Sequence, residues 1–250
     1  MNRMKDYKQS HVEERIARQY EEVVYRVGSY DDMLWRWEQD ILAREIVKLK
    51  KVSPRVSFLD FATGTGRILS FLEDTVTEAT GVDNAEAMLR HARLRVRNAE
   101  LILADLTQED ALAGRSFDII TAFRFFLNAQ TDLRDTAFRV LAPKLRGADA
   151  CFIFNIHGNL WSHRLFSKWW YMLRGRQLNT MTIWQAKRLV RAHGLEVARW
   201  YGFGVQPKFL YRLFGSKFMY AVDLMLSKIP GMKYVSYDLI FVCRKKNKNP

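Results

Sequence analysis

The sequence has few cysteines and few prolines. Of its 250 residues, 2 are Cys and 5 are Pro, whereas 13 are Gly. Both cysteines, Cys151 and Cys243, lie in apolar runs, which is typical of buried thiols in a reducing compartment; a single disulfide is the alternative. Because 48% of the residues are apolar and 27% are charged, the chain is neither disordered nor fibrous, and it is long enough to bury a full core.

Long hydrophobic runs are also missing. No stretch approaches the roughly 18 uncharged apolar residues of a membrane-spanning helix, because Arg212, Lys217, Asp223 and Lys228 interrupt the most apolar segment. The first 15 residues contain no apolar core of the kind found in secretory signals. We therefore expect a cytoplasmic protein, with peripheral contact to an anionic membrane as an alternative.

Acidic residues are scarce in the last hundred positions. Residues 1–50 have no net charge and residues 51–150 carry −1, whereas residues 151–250 combine 17 basic with 3 acidic residues, a net charge of +14. Five of the seven tryptophans lie in this same stretch. Such a basic excess is typical of contact with polyanions or anionic membrane surfaces, and here it belongs to one part of the chain.

The order of apolar runs and helical patterns predicts the fold class. Residues 10–50 predict two helices, and from about residue 56 to residue 157 short apolar runs alternate with helical patterns. Strands separated by helices predict an α/β fold in which a parallel sheet has helices on both faces. Beyond residue 157 we predict a helix over about 181–193, a strand, a helix over about 208–229 broken at Gly215, and a final strand over 233–245.

A glycine turn joins the first predicted strand to a helix in the segment VSFLDFATGTGRILSFLE. Glycines at such a turn let the backbone approach a ligand closely, which predicts a nucleotide-type pocket at the carboxyl edge of the sheet. A dinucleotide-binding turn would need Gly or Ala where Leu69 stands, and a P-loop would need Lys and Ser or Thr where Arg67 and Ile68 stand. Both of these nucleotide classes are therefore excluded.

The segment Asp-Phe-Ala-Thr-Gly-Thr-Gly at residues 60–66 resembles motif I of the class I S-adenosylmethionine-dependent methyltransferases, with Ala62 in place of the usual first glycine. Three acids follow at the family's positions, Asp83 and Asp105 at strand ends and Asp118 at the start of the fourth strand. In the family the first of these acids binds both ribose hydroxyls and the second binds the adenine amino group.

This resemblance implies a Rossmann-like, doubly wound, seven-stranded sheet of order 3-2-1-4-5-7-6 with an antiparallel last strand, and S-adenosyl-L-methionine as the cofactor. Capping of loops and helices is the alternative role for any one of the acids. The cofactor-binding residues that the resemblance implies are Asp60, Ala62, Gly64, Thr65, Gly66, Asp83, Asn84, Met88, Asp105, Leu106 and Phe123.

Candidate catalytic residues follow the fourth and fifth strands, where the acceptor pocket lies in this family. His157 is the candidate general base because an imidazole titrates near neutral pH; its alternative role is a hydrogen-bonded loop histidine. Arg124 is a candidate for holding an anionic or sugar oxygen, with a plain salt bridge as the alternative. Asn128 completes the catalytic set and Asn159 lies close by in the sequence. We predict no metal site.

The expected function is O-methylation of a small-molecule or glycan-type acceptor, either anionic or lipid-linked. The alternatives are a lipid or quinone methyltransferase, a nucleic-acid methyltransferase, and a non-catalytic cofactor-binding module that works through its basic face. Nucleic acid is disfavoured as a substrate, because residues 122–125 lack the Asn/Asp-Pro-Pro-aromatic motif of exocyclic-amine methyltransferases and neither cysteine follows a proline.

We divide the chain into a helical N-terminal cover (1–50), a cofactor-binding core (51–160), a basic acceptor cap with the sixth strand (161–232), and a final strand with a basic tail (233–250). Within the cap, residues 216–229 place apolar side chains along one side of a helix, which we expect to pack on the sheet, with membrane contact as the alternative. The aromatic and arginine side chains of an acceptor platform, or of a local core, are Trp161, Trp169, Trp170, Tyr171, Arg174 and Arg176.

Overall fold

The structure is a computed structural model that describes residues 27–157, 162 and 181–246. The first of the two predicted N-terminal helices and the predicted acceptor platform lie outside these described residues. Among the helices that the structure does describe, none is both long enough and apolar enough to cross a membrane.

Seven strands form one sheet in the order β3-β2-β1-β4-β5-β7-β6. Strands β1 to β5 pair in parallel, whereas β7 is antiparallel to both β5 and β6. This arrangement confirms the predicted sheet order and the antiparallel last strand. The strands are β1 Ser57–Phe61, β2 Glu78–Asp83, β3 Glu100–Leu103, β4 Ile119–Ala122, β5 Cys151–His157, β6 Leu195–Phe203 and β7 Asp238–Lys245.

Seven α-helices connect or cover these strands in the described part of the chain. The helices are α1 Tyr30–Val52, α2 Arg67–Leu72, α3 Glu86–Arg95, α4 Thr131–Leu141, α5 Ile183–Ala192, α6 Lys208–Phe214 and α7 Ser216–Ser227. Local sequence signals explain several of their ends. The Ser29 hydroxyl caps α1, and Thr182 and Gln185 form a capping box at the start of α5. Gly215 separates α6 from α7, as the sequence predicts.

Both faces of the central strands β1, β4 and β5 are buried, as expected for a parallel sheet covered by helices. On one face α4 and α5 pack through Phe138 and Val190. On the other face α1 and α2 pack through Leu34, Ile41 and Leu69, joined by side chains from α6 and α7. Helix α1 therefore forms part of the core, and this position brings its polar residues close to the carboxyl edge of the sheet.

Two local predictions differ from the structure. The final strand begins at Asp238, and Met232–Tyr234 form a short 3-10 helix within the range predicted as strand. The apolar side of α7 packs on the core only in part: Met219 is buried, but Phe218 and Met225 are exposed and Asp223 is completely buried. The physical reason is that Asp223 accepts hydrogen bonds from Val205, Gln206 and Tyr211. These bonds offset the free-energy cost of burying its carboxylate.

Candidate active site

A cleft with about 1100 Å³ of empty space, open mouth included, lies at the carboxyl ends of β1, β2 and β4. This is where ligands bind in open α/β sheets. Ten of the eleven predicted cofactor residues line the cleft, and Gly66 is the exception. The ten are Asp60, Ala62, Gly64, Thr65, Asp83, Asn84, Met88, Asp105, Leu106 and Phe123.

The turn after β1 is held by buried hydrogen bonds. The Asp60 carboxylate accepts hydrogen bonds from the hydroxyls of Thr121 (2.6 Å) and Thr63 (2.7 Å). Burial raises the pKa of Asp60 to about 6, although these two hydrogen bonds lower it. Ala62 has a φ of 54°, in the left-handed region that favours glycine. This conformation is one that the glycine usual in motif I would adopt without strain.

Gly64 and Gly66 have different structural roles in the turn. Gly64 has a φ of 57° and donates its backbone N–H to Asp83 Oδ2 at 2.8 Å. Gly66 has a φ of 74°, and a Cβ there would lie 3.0 Å from the Cβ of Ala92 on α3. Gly64 therefore brings backbone to the cleft, whereas Gly66 allows close packing between the turn and α3.

The three acids that follow the turn differ in position. Asp83 Oδ1 accepts the backbone N–H of Ala85 at 2.9 Å, so the turn and the start of α3 fix its carboxylate at the cleft. Asp105 Oδ1 accepts both the N–H and the hydroxyl of Thr107. Asp118 lies at the opposite edge of the sheet, where its carboxylate binds Ser57 and Arg146.

Arg124 lines the cleft beyond the end of β4. It has a φ of 64°, which is uncommon for a residue with a side chain. Two amides hold this backbone, since Arg124 donates its N–H to Asn155 Oδ1 (2.7 Å) and accepts a bond from Asn128 Nδ2 (2.9 Å) at its carbonyl. Asn128 itself does not line the cleft, so its contact with the site is through the Arg124 backbone.

Glu38 on α1 also lines the cleft, and sequence reasoning missed it. Its carboxylate lies 3.7 Å from the Arg124 guanidinium and 3.4 Å from Asn155 Nδ2, and the residue is 3% exposed. Burial raises the pKa of Glu38 to about 7, although the guanidiniums of Arg124 and Arg67 lower it. In the sequence Glu38 is one of many charged residues on an amphipathic helix, and only the packing of α1 on the sheet places it here.

A family model described as a methyltransferase domain matches residues 58–144, which contain the turn and the acids lining the cleft. The fold of the chain matches that of S-adenosylmethionine-dependent methyltransferases of known structure.

Two solved structures share the fold of this chain over nearly its whole length. One is magnesium protoporphyrin IX methyltransferase from Synechocystis PCC 6803, at 14% identity, a TM-score of 0.61, and coverage of 94% of this chain and 100% of that one. The other is an S-adenosylmethionine-dependent methyltransferase from Clostridium acetobutylicum ATCC 824, at 12% identity, a TM-score of 0.60, and coverage of 93% and 98%.

The chain is also similar in sequence to a protein from Thermotoga maritima. Demethylmenaquinone methyltransferase from Thermotoga maritima is 34% identical over 139 residues. The aligned region includes 53% of this chain and spans 56% of the length of the Thermotoga maritima protein.

His157 is not among the residues that line the cleft. It pairs through Nδ1 with Asp238, whose other carboxylate oxygen accepts the Tyr30 hydroxyl at 2.5 Å. Burial would raise the pKa of Asp238, but His157, Lys208 and the Tyr30 hydroxyl hold it at about 2. The predicted base is thus part of a buried polar network that does not line the cleft, and Asn159 lies outside the described residues. Among those residues no cluster of His, Cys, Asp and Glu could hold a metal ion.

Proposed function

We propose that this protein transfers a methyl group from S-adenosyl-L-methionine to an acceptor held beside Glu38 and Arg124. The observation that supports this proposal is that one cleft contains both the family's cofactor turn and a buried carboxylate paired with a guanidinium. A cofactor and an acceptor bound in one cleft could contact each other directly. Positioning of two reactants in this way supplies much of the catalysis in a displacement reaction.

The residues present fit the cofactor. S-adenosyl-L-methionine supplies an electrophilic methyl group on a positively charged sulfonium. Asp83 presents a carboxylate fixed by two backbone N–H groups, and its two acceptor oxygens suit the two hydroxyls of a ribose. Asp105 and Leu106 offer a polar and an apolar surface for an adenine. Four carboxyl groups and two guanidiniums line the cleft, and the excess of acids favours a cationic ligand electrostatically. The carboxyl groups are those of Glu38, Asp60, Asp83 and Asp105, and the guanidiniums are those of Arg67 and Arg124.

We assign the acceptor to small molecules or glycans with a hydroxyl group, either anionic or lipid-linked. In the proposed transfer a bond would form between the acceptor oxygen and the methyl carbon as the carbon–sulfur bond breaks, and Glu38 would accept the proton of the acceptor hydroxyl. A carboxyl group with a pKa of about 7 suits proton removal near neutral pH. The Arg124 guanidinium, 3.7 Å away, would stabilise negative charge that develops on the acceptor oxygen.

A quinone-type acceptor is the second candidate. The similarity to a demethylmenaquinone methyltransferase, 34% over 139 residues, favours it. The same pair of side chains could serve a quinol, since its ring hydroxyl also carries a proton that a base must remove.

An acceptor screen with a radiolabelled methyl donor tests the proposed activity. Hydroxylated small molecules, glycans, lipids and quinols are offered separately to wild-type protein and to Glu38→Gln. We expect labelled product from one of these classes, a loss of turnover of about 10²-fold in Glu38→Gln, and a wild-type rate that rises with pH up to about 7. Unchanged turnover in Glu38→Gln would exclude Glu38 as the base, and donor binding without transfer to any class would favour the non-catalytic module.

A further inference from the structure

Helices α6 and α7 form a hairpin around Gly215 whose inner side is anchored by a buried carboxylate. Asp223 Oδ1 accepts backbone N–H bonds from Val205 (3.1 Å) and Gln206 (3.4 Å), and Oδ2 binds the Tyr211 hydroxyl. Tyr211 and Met219 pack into the core beside α1. The hairpin therefore buries the side that contains its one acidic residue.

The outer side of the hairpin is apolar and exposed. Six large apolar side chains on α6, on α7 and just beyond α7 are between 43% and 68% exposed. We call this set the outer face; it consists of Phe209, Leu213, Phe214, Phe218, Met225 and Ile229. Elsewhere in the described residues, large exposed apolar side chains such as Leu94 and Trp184 lie on separate helices. A cluster of this size in one short segment marks an interaction surface.

The charged side chains around the outer face are basic. Arg212, Lys217 and Lys228 are exposed, and the Lys208 side chain is 42% exposed. Because the hairpin's one acid, Asp223, is buried, the described surface of residues 208–229 presents positive charge alone. An apolar face bordered by Lys and Arg complements an anionic lipid surface, where the bases contact headgroups and the apolar side chains enter the boundary with the acyl chains.

We propose that the outer face docks this protein on the surface of an anionic lipid bilayer. Charge decides between this occupant and a second copy of the chain. A symmetric pairing of two outer faces would bring Arg212, Lys217 and Lys228 of one copy against the same bases of the other, and like charges at an interface oppose association. An anionic bilayer satisfies both the apolar and the basic groups.

The hairpin also contacts the helix that reaches the cleft. Lys208 lies 3.5 Å from Asp31 and 4.4 Å from the centroid of the Tyr30 ring, and the Ser216 hydroxyl binds the Gly28 carbonyl. Docking through the outer face would therefore hold the start of α1 near the lipid surface. This inference does not depend on which acceptor is methylated.

Co-sedimentation with vesicles tests the proposal. The full chain is mixed with vesicles of phosphatidylcholine alone, or of equal parts phosphatidylcholine and phosphatidylglycerol, at low and high salt. We expect binding to the anionic vesicles that weakens with salt, and at least about tenfold weaker binding for both Phe214→Ser/Phe218→Ser and Lys217→Glu/Lys228→Glu. The two double variants change apolar contact and charge separately, so one remains informative if the other fails to fold.

Matched controls place the same changes outside the hairpin. Leu94→Ser/Trp184→Ser removes two exposed apolar side chains, and Arg188→Glu/Arg191→Glu reverses two exposed bases on α5; both should bind within about twofold of wild type. Equal binding of wild type to neutral and anionic vesicles, no binding, or full binding by both hairpin variants would overturn the proposal. So would a wild-type dimer in sedimentation velocity that Phe214→Ser/Phe218→Ser dissociates.

Discussion

Replacing Glu38 with glutamine is expected to remove a fall in stability between pH 4.5 and pH 7. Burial raises the pKa of this carboxyl from its ordinary value of 4.5 to about 7 in the folded protein. Within this pH range the folded state keeps a proton that the unfolded state has released, so stability decreases as pH rises and becomes constant above about pH 7. Glutamine has a similar shape and does not titrate.

The magnitude follows from the two pKa values. At about 1.4 kcal/mol for each pKa unit, the change from 4.5 to about 7 corresponds to about 3 kcal/mol. The attraction of Arg124 and Arg67 is already included in the raised value, because both guanidiniums lower it. The free energy of unfolding of Glu38→Gln, minus that of wild type, should therefore increase by about 3 kcal/mol between pH 4.5 and pH 8.

The assay is urea unfolding of both proteins at a series of pH values, so that groups common to both cancel. Glu45 supplies a matched control on the same helix. Burial would raise the pKa of Glu45, but hydrogen bonds from Lys48 and Arg199 lower it overall. Glu45→Gln should therefore lose stability relative to wild type at neutral pH, and the loss should shrink as the pH falls. A difference between Glu38→Gln and wild type that does not change with pH would refute the reasoning.

Two further predictions concern packing and the buried polar network. Gly66→Ala should destabilise the fold by more than the roughly 1–2 kcal/mol that a left-handed backbone costs, because its Cβ would lie 3.0 Å from the Cβ of Ala92. Gly114 has a similar φ and open space around it, so Gly114→Ala should lose only the stability that the left-handed backbone costs. Both variants are measured by urea unfolding. Asp238→Asn should lose about 3 kcal/mol at pH 7, because it leaves His157 and Tyr30 without their shared carboxylate.

Each of these has a result that would contradict it. Equal losses in Gly66→Ala and Gly114→Ala would mean that contact with α3 does not require a glycine at residue 66. For Asp238→Asn, a loss below about 1 kcal/mol at pH 7 would show that the network contributes little. The folded pKa of Asp238 is below its usual value, so its contribution should be present above about pH 4 and disappear as the pH falls towards 2.

The sheet and the cofactor side of the cleft could be predicted because their signals are local or ordered along the chain. The alternation of apolar runs and helices predicts a parallel sheet, and the glycine turn with acids at successive strand ends places Asp60, Asp83 and Asp105 at one edge. The family resemblance supplied the strand order, which periodicity alone does not determine.

The acceptor side could not be predicted in the same way, because it depends on contacts between distant parts of the chain. Glu38 reaches the cleft only because α1 packs on the sheet, and Arg124 adopts a positive φ because Asn155, 31 residues later, holds its N–H. The orientation of α7 has a similar cause: the hydrogen-bonded Asp223 is buried beside Met219, which leaves Phe218 and Met225 exposed although hydrophobicity alone predicts that they are buried.

The most direct test of the central claim, that the cleft binds S-adenosyl-L-methionine, is a calorimetric titration of wild type, Asp83→Ala, Gly64→Asp and Glu196→Ala. The first two changes alter the cofactor side of the cleft, whereas Glu196 is exposed on β6 and serves as the control. We predict one binding site per chain in wild type and no change of affinity in Glu196→Ala. Binding should be at least about tenfold weaker in the two cleft variants, because Asp83→Ala removes a hydrogen-bonding carboxylate and Gly64→Asp adds a side chain where the backbone lines the cleft. Equal affinity in all four proteins would contradict the account.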